Sequence, residues 1–288
     1  SALMIQSMTG FGKHSIQLPT KKITIELKSL NSKTLDINAR MPVAYREKEL
    51  ELRKTIAKKL LRGKVDFGLY VEYTGQEASA DITVGVVREY MNQLKEIADG
   101  NDLKLMEMAL RLPDALRTHR NEIDEKEYKS ICDTLDTALV EIQNFRRSEG
   151  DVLKADFEKR LAMLGELMEE VERLDPERKD ALRERLTKAL QELKTEVDEN
   201  RFEQELIYYL EKYDITEEKV RLKNHMSYFL ETLQTPDSNV KKLGFITQEL
   251  GREINTIGSK ANYAPLQQVV VQMKDELEKV KEQMLNVL

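Results

Sequence analysis

Apolar residues recur at every second position through the first 73 residues and at every third or fourth position after residue 85. A chain that changes period in this way builds a sheet from its first part and helices from the rest. Ile23, Ile25 and Leu27 alternate with Thr24, Glu26 and Lys28, the pattern resumes at Leu35 and Ile37, and Val65, Phe67, Leu69 and Val71 repeat it. Between these runs Leu52, Ile56, Leu60 and Leu61 fall at helical spacing, with Gly63 as the expected C-terminal cap. The order strand, strand, helix, strand predicts an α+β fold: an N-terminal β-rich α/β domain followed by a mostly α-helical region with long amphipathic helices.

In the second part, Leu153, Phe157, Leu161, Leu164, Met168 and Val171 form one stripe, and Leu182, Leu186, Leu190, Leu193 and Val197 form another. Pro176 is expected to separate them into two long helices that pair as a hairpin or meet another subunit. A last helix over 264–288 carries Leu266, Val269, Val270, Met273, Leu277, Val280 and Met284 on one face. The expected division is a basic β-rich domain over 1–85, a helical middle region over 86–200 and a C-terminal helical domain over 201–288.

Charge divides along the same line. Residues 1–75 hold 14 Lys and Arg against 7 Asp and Glu, a balance of +7, while the remainder holds 32 against 45, a balance of −13. A basic third on an acidic chain suits contact with a polyanion, and Lys58, Lys59, Arg62 and Lys64 cluster where a phosphate backbone would be gripped. The alternative is that these charges simply solvate different faces. No run of about eighteen apolar residues occurs, and the N-terminus lacks a secretory pattern, so a cytoplasmic protein is expected. The single Cys132 excludes an internal disulfide framework and reads as a small apolar filler.

Two helical segments carry more chemistry than packing requires, and the opening stretch gains weight from its place in the basic domain. In "DITEEKVRLKNHMSYFLETL", Asp214 and Glu217 fit a capping box, and Glu218, Arg221 and His225 fall within one arc beside the apolar stripe. In "LGFITQELGREINTIGSKAN", Glu249, Glu253 and Thr256 line one flank of a helix, and Lys260 extends that line if the helix continues past Gly258. Two carboxylates one turn apart repel unless a cation lies between them, and hard oxygen donors of this kind suit Mg or Mn ions. A solvated pair balanced by Arg252 or Lys260 is the other reading. In "SMTGFGKHS", Gly10 and Gly12 let the backbone approach a partner closely while Thr9 and Phe11 offer a hydroxyl and a stacking ring. The alternative is a bend in the first strand with Phe11 in the core.

The blocks "MIQSMTGFG", "LKSLNSKTLDI", "LLRGKVDFGLYVE", "FRRSEGDVL", "EEKVRLKNHMSYF" and "QELGREINTIGSKA" occur in that order. Together they resemble the bacterial YicC-like endoribonuclease family, from Met4, the expected natural start, to Leu288. The resemblance implies a cytoplasmic, metal-dependent endoribonuclease assembled as a homohexamer, with a helical clamshell closing over RNA. Many members have a His-Arg pair where this chain has Ser32 and Lys33, so no histidine role transfers there. Gly251 stands where Asn is common, whereas Glu249, Arg252, Glu253 and Asn255 are kept.

The expected activity is therefore cleavage of an RNA phosphodiester. Glu249 and Glu253, with Glu218, would hold the divalent ion (Mn or Mg), and His225 would be a ligand or a general acid/base. Thr9, Phe11, Lys58, Lys59, Arg62, Lys64, Arg221, Arg252, Asn255 and Lys260 would contact RNA, the arginines through forked donors to phosphate. Either metal-activated water or the RNA 2′-OH could be the nucleophile. The other reading is a non-catalytic RNA-binding adaptor acting in small-RNA turnover, which needs no metal; a purely helical scaffold leaves the basic third without a role. The sequence holds no Trp, so Phe11, Tyr45 and Tyr73 are the candidate stacking residues of the basic domain.

Overall fold

The computed structural model of the chain describes residues 5–75, 80–118, 123–192, 198–235 and 240–288. It divides into two compact units, residues 11–28 with 35–142, and residues 1–10 with 29–34 and 143–288. Met4, Leu193 and Val197 lie outside the described residues.

In the first unit the alternating runs become strands β1 (Gly10–Gln17), β2 (Lys21–Leu30), β3 (Leu35–Arg40) and β4 (Gly63–Tyr73), ordered β1-β2-β4-β3. β3 and β4 run parallel, with Leu35 opposite Gly63 and Arg40 opposite Gly68. Their crossover is a 3-10 turn (Val43–Lys48) and helix α1 (Glu49–Leu60). Ile23, Ile25 and Leu27 of β2, Val65, Phe67 and Leu69 of β4, and Leu52, Ile56 and Leu60 of α1 are almost fully buried together. Ile131, Leu135, Ala138, Leu139 and Ile142 of helix α4 (Glu125–Glu192) complete this core. The α+β expectation holds.

Local details differ from the sequence reading. The left-handed residue that ends α1 is Leu61 (φ 60°), while Gly63 (φ 120°) opens β4 two residues later. Beyond residue 75, helices α2 (Val84–Ile97) and α3 (Asp102–Ala109) are flanked by strands β5 (Ala80–Ile82) and β6 (Leu116–Thr118), which pair antiparallel. A three-residue strand is too short to display a period, so a helical reading passes over it.

Packing explains the second of the opening glycines. Gly10 and Gly12 are buried and Phe11 between them points outward, 37% exposed, with Lys28 Nζ 6.0 Å from its ring centre. A Cβ on Gly12 would lie 2.4 Å from the Ala138 carbonyl oxygen and 2.9 Å from the Ile142 nitrogen, so β1 can approach α4 this closely only without a side chain. Gly12→Ala is expected to destabilise the protein by about 2 kcal/mol or more, the scale of overpacking. Urea denaturation measures this, and an unchanged midpoint would refute the close approach.

The second unit is helical. Residues 143–192 of α4, with α6 (Thr216–Gln234), α7 (Val240–Lys260) and α8 (Ala264–Met284), bury their stripes in one core, where Phe157 meets Phe229 edge to face at 5.7 Å. Helix α5 (Glu199–Lys212) buries Leu206 outside that cluster. Residues 5–8 join this unit: Ser7 bridges Val287, Ser7 N donates to Arg146 O (2.9 Å) and Leu288 N donates to Gln6 O (2.8 Å).

Pro176 does not separate two helices; it lies inside α4. The helix is gripped on either side of the proline. Buried Asp175 accepts from Arg178 at 2.8 Å and Lys219 at 3.1 Å, and Arg178 donates onward to the carbonyls of Tyr213 (2.9 Å) and Lys260 (3.4 Å). These side-chain bonds hold the segment where proline removes a main-chain donor. Of the second stripe, Leu182, Leu186 and Leu190 are half-buried, outside the main core.

Candidate metal and phosphate site

Helices α6 and α7 pack through their apolar stripes, Leu222, Met226 and Phe229 on one and Leu243, Ile246, Leu250 and Ile254 on the other. The polar residues flanking those stripes therefore meet along the seam. His225 of α6 comes together with Glu249 and Glu253 of α7: one potential ligand atom from each lies within 4.8 Å of the other two. Among the described residues this is the one cluster of three or more His, Cys, Asp or Glu side chains with such geometry.

Glu253 is buried, its side chain 3% exposed, and its ion pair is a long one, to Arg221 at 3.6 Å. Burying a carboxylate against so distant a partner is costly. Arg221 also pairs with Glu217, one turn earlier on α6, and Arg252 lies 3.7 Å from Glu249 while remaining largely exposed. Two carboxylates and an imidazole form a hard, mixed O/N donor set that fits a divalent ion such as Mn, whose ligands are drawn from these types.

Glu218 stands apart from this trio. Its Oε1 accepts from Lys260 Nζ at 2.7 Å, whereas its Oε2 is buried with no hydrogen-bond partner. Lys260 reaches it because α7 continues through Gly258, and the same ammonium donates to the Asp214 carbonyl (3.1 Å). Gln267 Nε2 holds the end of α7 by donating to the Gly258 and Ala261 carbonyls. The capping box does not form: α6 starts after Ile215 with no side-chain cap, because the Asp214 carboxylate accepts from the Thr216 hydroxyl (2.9 Å). Asn255 is exposed, and Thr256 turns its hydroxyl back to the Arg252 carbonyl (3.0 Å).

The remaining candidates belong to other surfaces. Lys58 and Lys59 are exposed on the last turn of α1, where cations also favour the helix dipole, and Lys64 is exposed on β4 beyond half-buried Arg62. Thr9 is half-buried, its main-chain N–H on the Ser7 hydroxyl (3.1 Å). Tyr45 offers no stacking face. It is buried, with its hydroxyl donating to Glu127 at 2.7 Å, and that burial and the neighbouring carboxylate push its pKa far above the usual phenol range. Tyr73 is 45% exposed. Sequence reasoning missed three tyrosines of the helical unit, Tyr209, Tyr213 and Tyr263; the four-residue spacing in "YYLEKY" was the available signal.

The comparisons agree across the whole chain. A family model described as "Endoribonuclease YicC-like, N-terminal region" matches residues 5–155, and "Endoribonuclease YicC-like, C-terminal" matches residues 171–288. A curated relative from Clostridioides difficile (strain 630), named "Probable endoribonuclease YicC", is 33% identical, covering 99% of this chain and 100% of its own length. One of the same name from Haemophilus influenzae is 28% identical, covering 98% of this chain and 99% of its own. No helix among the described residues is long and apolar enough to cross a membrane.

Proposed function

The chain belongs to the YicC-like endoribonuclease family, and from that premise we propose that it cuts RNA internally with the help of a divalent ion, Mn or Mg, held by His225, Glu249 and Glu253. The observation that carries the reading is the convergence of those three donors within 4.8 Å from two packed helices. The ion, when bound, neutralises phosphate charge and lowers the pKa of a bound water. Glu253 and Glu249 supply the negative charge that retains it, and the buried stripe behind them keeps both carboxylates in fixed positions. Arg221 and Arg252, each beside one of the carboxylates, present forked donors to phosphate oxygens of the strand. Lys260 occupies Glu218 through their 2.7 Å ion pair, so Glu218 enters as a neighbour of the ion site more readily than as a ligand.

The exposed lysines of α1 and β4 would hold the RNA backbone without reading sequence. A cytoplasmic homo-oligomer, a hexamer by resemblance, forms part of the same proposal.

Cleavage of an end-labelled structured RNA tests it. Activity is expected to stop with EDTA, to return with excess Mn, and to be absent in a Glu249→Ala/Glu253→Ala protein that still binds RNA. Cutting that persists in EDTA would overturn the metal role, and binding without cutting by wild type would favour the adaptor. A 5′-phosphate product and tolerance of a deoxy nucleotide at the cut mark water as nucleophile. A cyclic phosphate and loss on deoxy substitution mark the 2′-OH, with His225 as base.

A further inference from the structure

The acidic helical part of the chain contains a cleft of quite different chemistry. Residues 143–288 hold 24 Lys and Arg against 30 Asp and Glu. Yet a cleft of about 620 Å³ at the junction of α4, α5 and the α7–α8 turn is lined by Arg178, Arg185 and Lys260, three tyrosines, and no carboxylate. Two other large grooves among the described residues of this unit carry several acids each, Glu158, Glu169, Glu172 and Glu231 in one and Glu166, Glu170, Asp275 and Glu276 among those in the other. A cleft from which acids are absent, in a surface otherwise rich in them, repels anions least.

Its aromatic wall carries two parallel rings. The rings of Tyr209 and Tyr213, one helical turn apart, lie parallel within 1° at 6.4 Å between centres, and both are only half-buried. Tyr263 stands on another wall, with its hydroxyl 3.4 Å from Glu177. Two of the cations are committed: Arg178 to Asp175 and two carbonyls, and Lys260 to Glu218. Arg185 is exposed and forms no ion pair among the described residues. Parallel aromatic rings beside an uncommitted guanidinium, with the Asn262 amide also on the lining, match the three parts of a nucleotide: a ring to stack, a base edge to hydrogen-bond and a phosphate to fork.

Position links the cleft to the metal and phosphate site. Lys260 belongs to its wall and lies seven residues beyond Glu253 on α7, about 10.5 Å along the helix axis. One RNA strand can reach both.

We propose that this cleft is a nucleobase subsite, which takes an unstacked base of the strand being cut, stacks it on Tyr209 and Tyr213, and holds the adjoining phosphate with Arg185. The proposal rests on the endoribonuclease reading, and it makes the cleft a selector of single-stranded or looped RNA, since a paired base cannot enter.

The test uses short single-stranded RNA carrying one 2-aminopurine, titrated with the full-length protein in EDTA so that no cutting interferes. Wild type is expected to quench the fluorophore. Tyr213→Leu and Arg185→Ser are each expected to weaken binding about five- to a hundredfold, the range of one stacked base or charge-assisted contact. Arg185 is exposed, so its variant keeps the test decisive if the tyrosine variant folds poorly. A duplex of the same sequence should be bound without quenching. Unchanged affinity and quenching in both variants, while wild type cuts RNA in Mn, overturns the subsite and leaves the endoribonuclease reading intact. Quenching that depends on both residues, in a wild-type protein that cuts nothing in Mn, supports base capture and overturns that reading instead.

Discussion

Glu253→Gln is expected to lower RNA cleavage by at least about 100-fold, the scale of a lost metal ligand or proton carrier, with RNA affinity held within a few fold. The substitution preserves volume and removes only the charge. Glu253 is buried and its partner Arg221 is nearly half exposed, so the guanidinium regains water when the carboxylate is gone. Thermal stability should therefore stay level or rise. That pairing of outcomes separates function from structure: a group kept for packing would leave cleavage intact, and a group kept for folding would lower the melting temperature. Mn affinity, measured by calorimetry on the RNA-free protein, should fall in parallel. Glu218→Gln makes the contrast, since it strips Lys260 of its ion pair and should cost stability before it costs metal. If Glu253→Gln cuts RNA at the wild-type rate, the seam of α6 and α7 is not the reactive centre.

Arg178→Met is expected to destabilise the protein by about 3 kcal/mol or more, the cost of breaking a buried ion pair from one side. Arg178 is almost fully buried and ties three parts of the helical unit together: Asp175 beside the proline of α4, the Tyr213 carbonyl at the end of α5, and the Lys260 carbonyl at the end of α7. Methionine fills the volume but leaves both carbonyls without that donor and Asp175 with Lys219 as its main partner.

The effect should depend on pH. Burial raises the Asp175 carboxyl, but the hydrogen bonds and charges of Arg178 and Lys219 outweigh it and hold the pKa below the ordinary value. A depressed folded pKa contributes stability that is complete above the unfolded value, about 4, and disappears as pH falls through the folded one. Urea midpoints of wild type and variant should thus differ most near neutral pH and converge below about pH 4. A gap that stays constant into acid would mean that Arg178 acts through the two carbonyls alone.

How far the residues announced these features follows from the range over which each is built. The β2, β3, α1, β4 order was legible because alternation and helical spacing are local, and the stripes of α4, α6, α7 and α8 were legible for the same reason. The flank of Glu249 and Glu253 could be placed on one helix face, and His225 on another. Their convergence depends on how the two helices pack, which no single-helix arc contains. Glu218 shares an arc with His225, yet Lys260 claims it from a different helix. Pro176 carried a strong local signal for a break, and a buried network assembled from α4, α6 and the turns beyond overrides it. The tyrosine cleft was least legible of all, because Arg185, Tyr209 and Tyr263 are distant in sequence and ordinary in isolation.

The bridge between Ser7 and Val287 joins residues 280 positions apart. A contact over so long a separation closes slowly, because the chain between must be ordered before the pairing repays it. Gly150 fixes the same segment from the middle of the chain: a Cβ there would collide with the Ile5 carbonyl oxygen, so only a glycine lets residue 5 seat against α4. The helical unit that carries His225, Glu249 and Glu253 is thus closed by three segments far apart in sequence, and changes near residues 5, 150 and 287 should be felt in the same place.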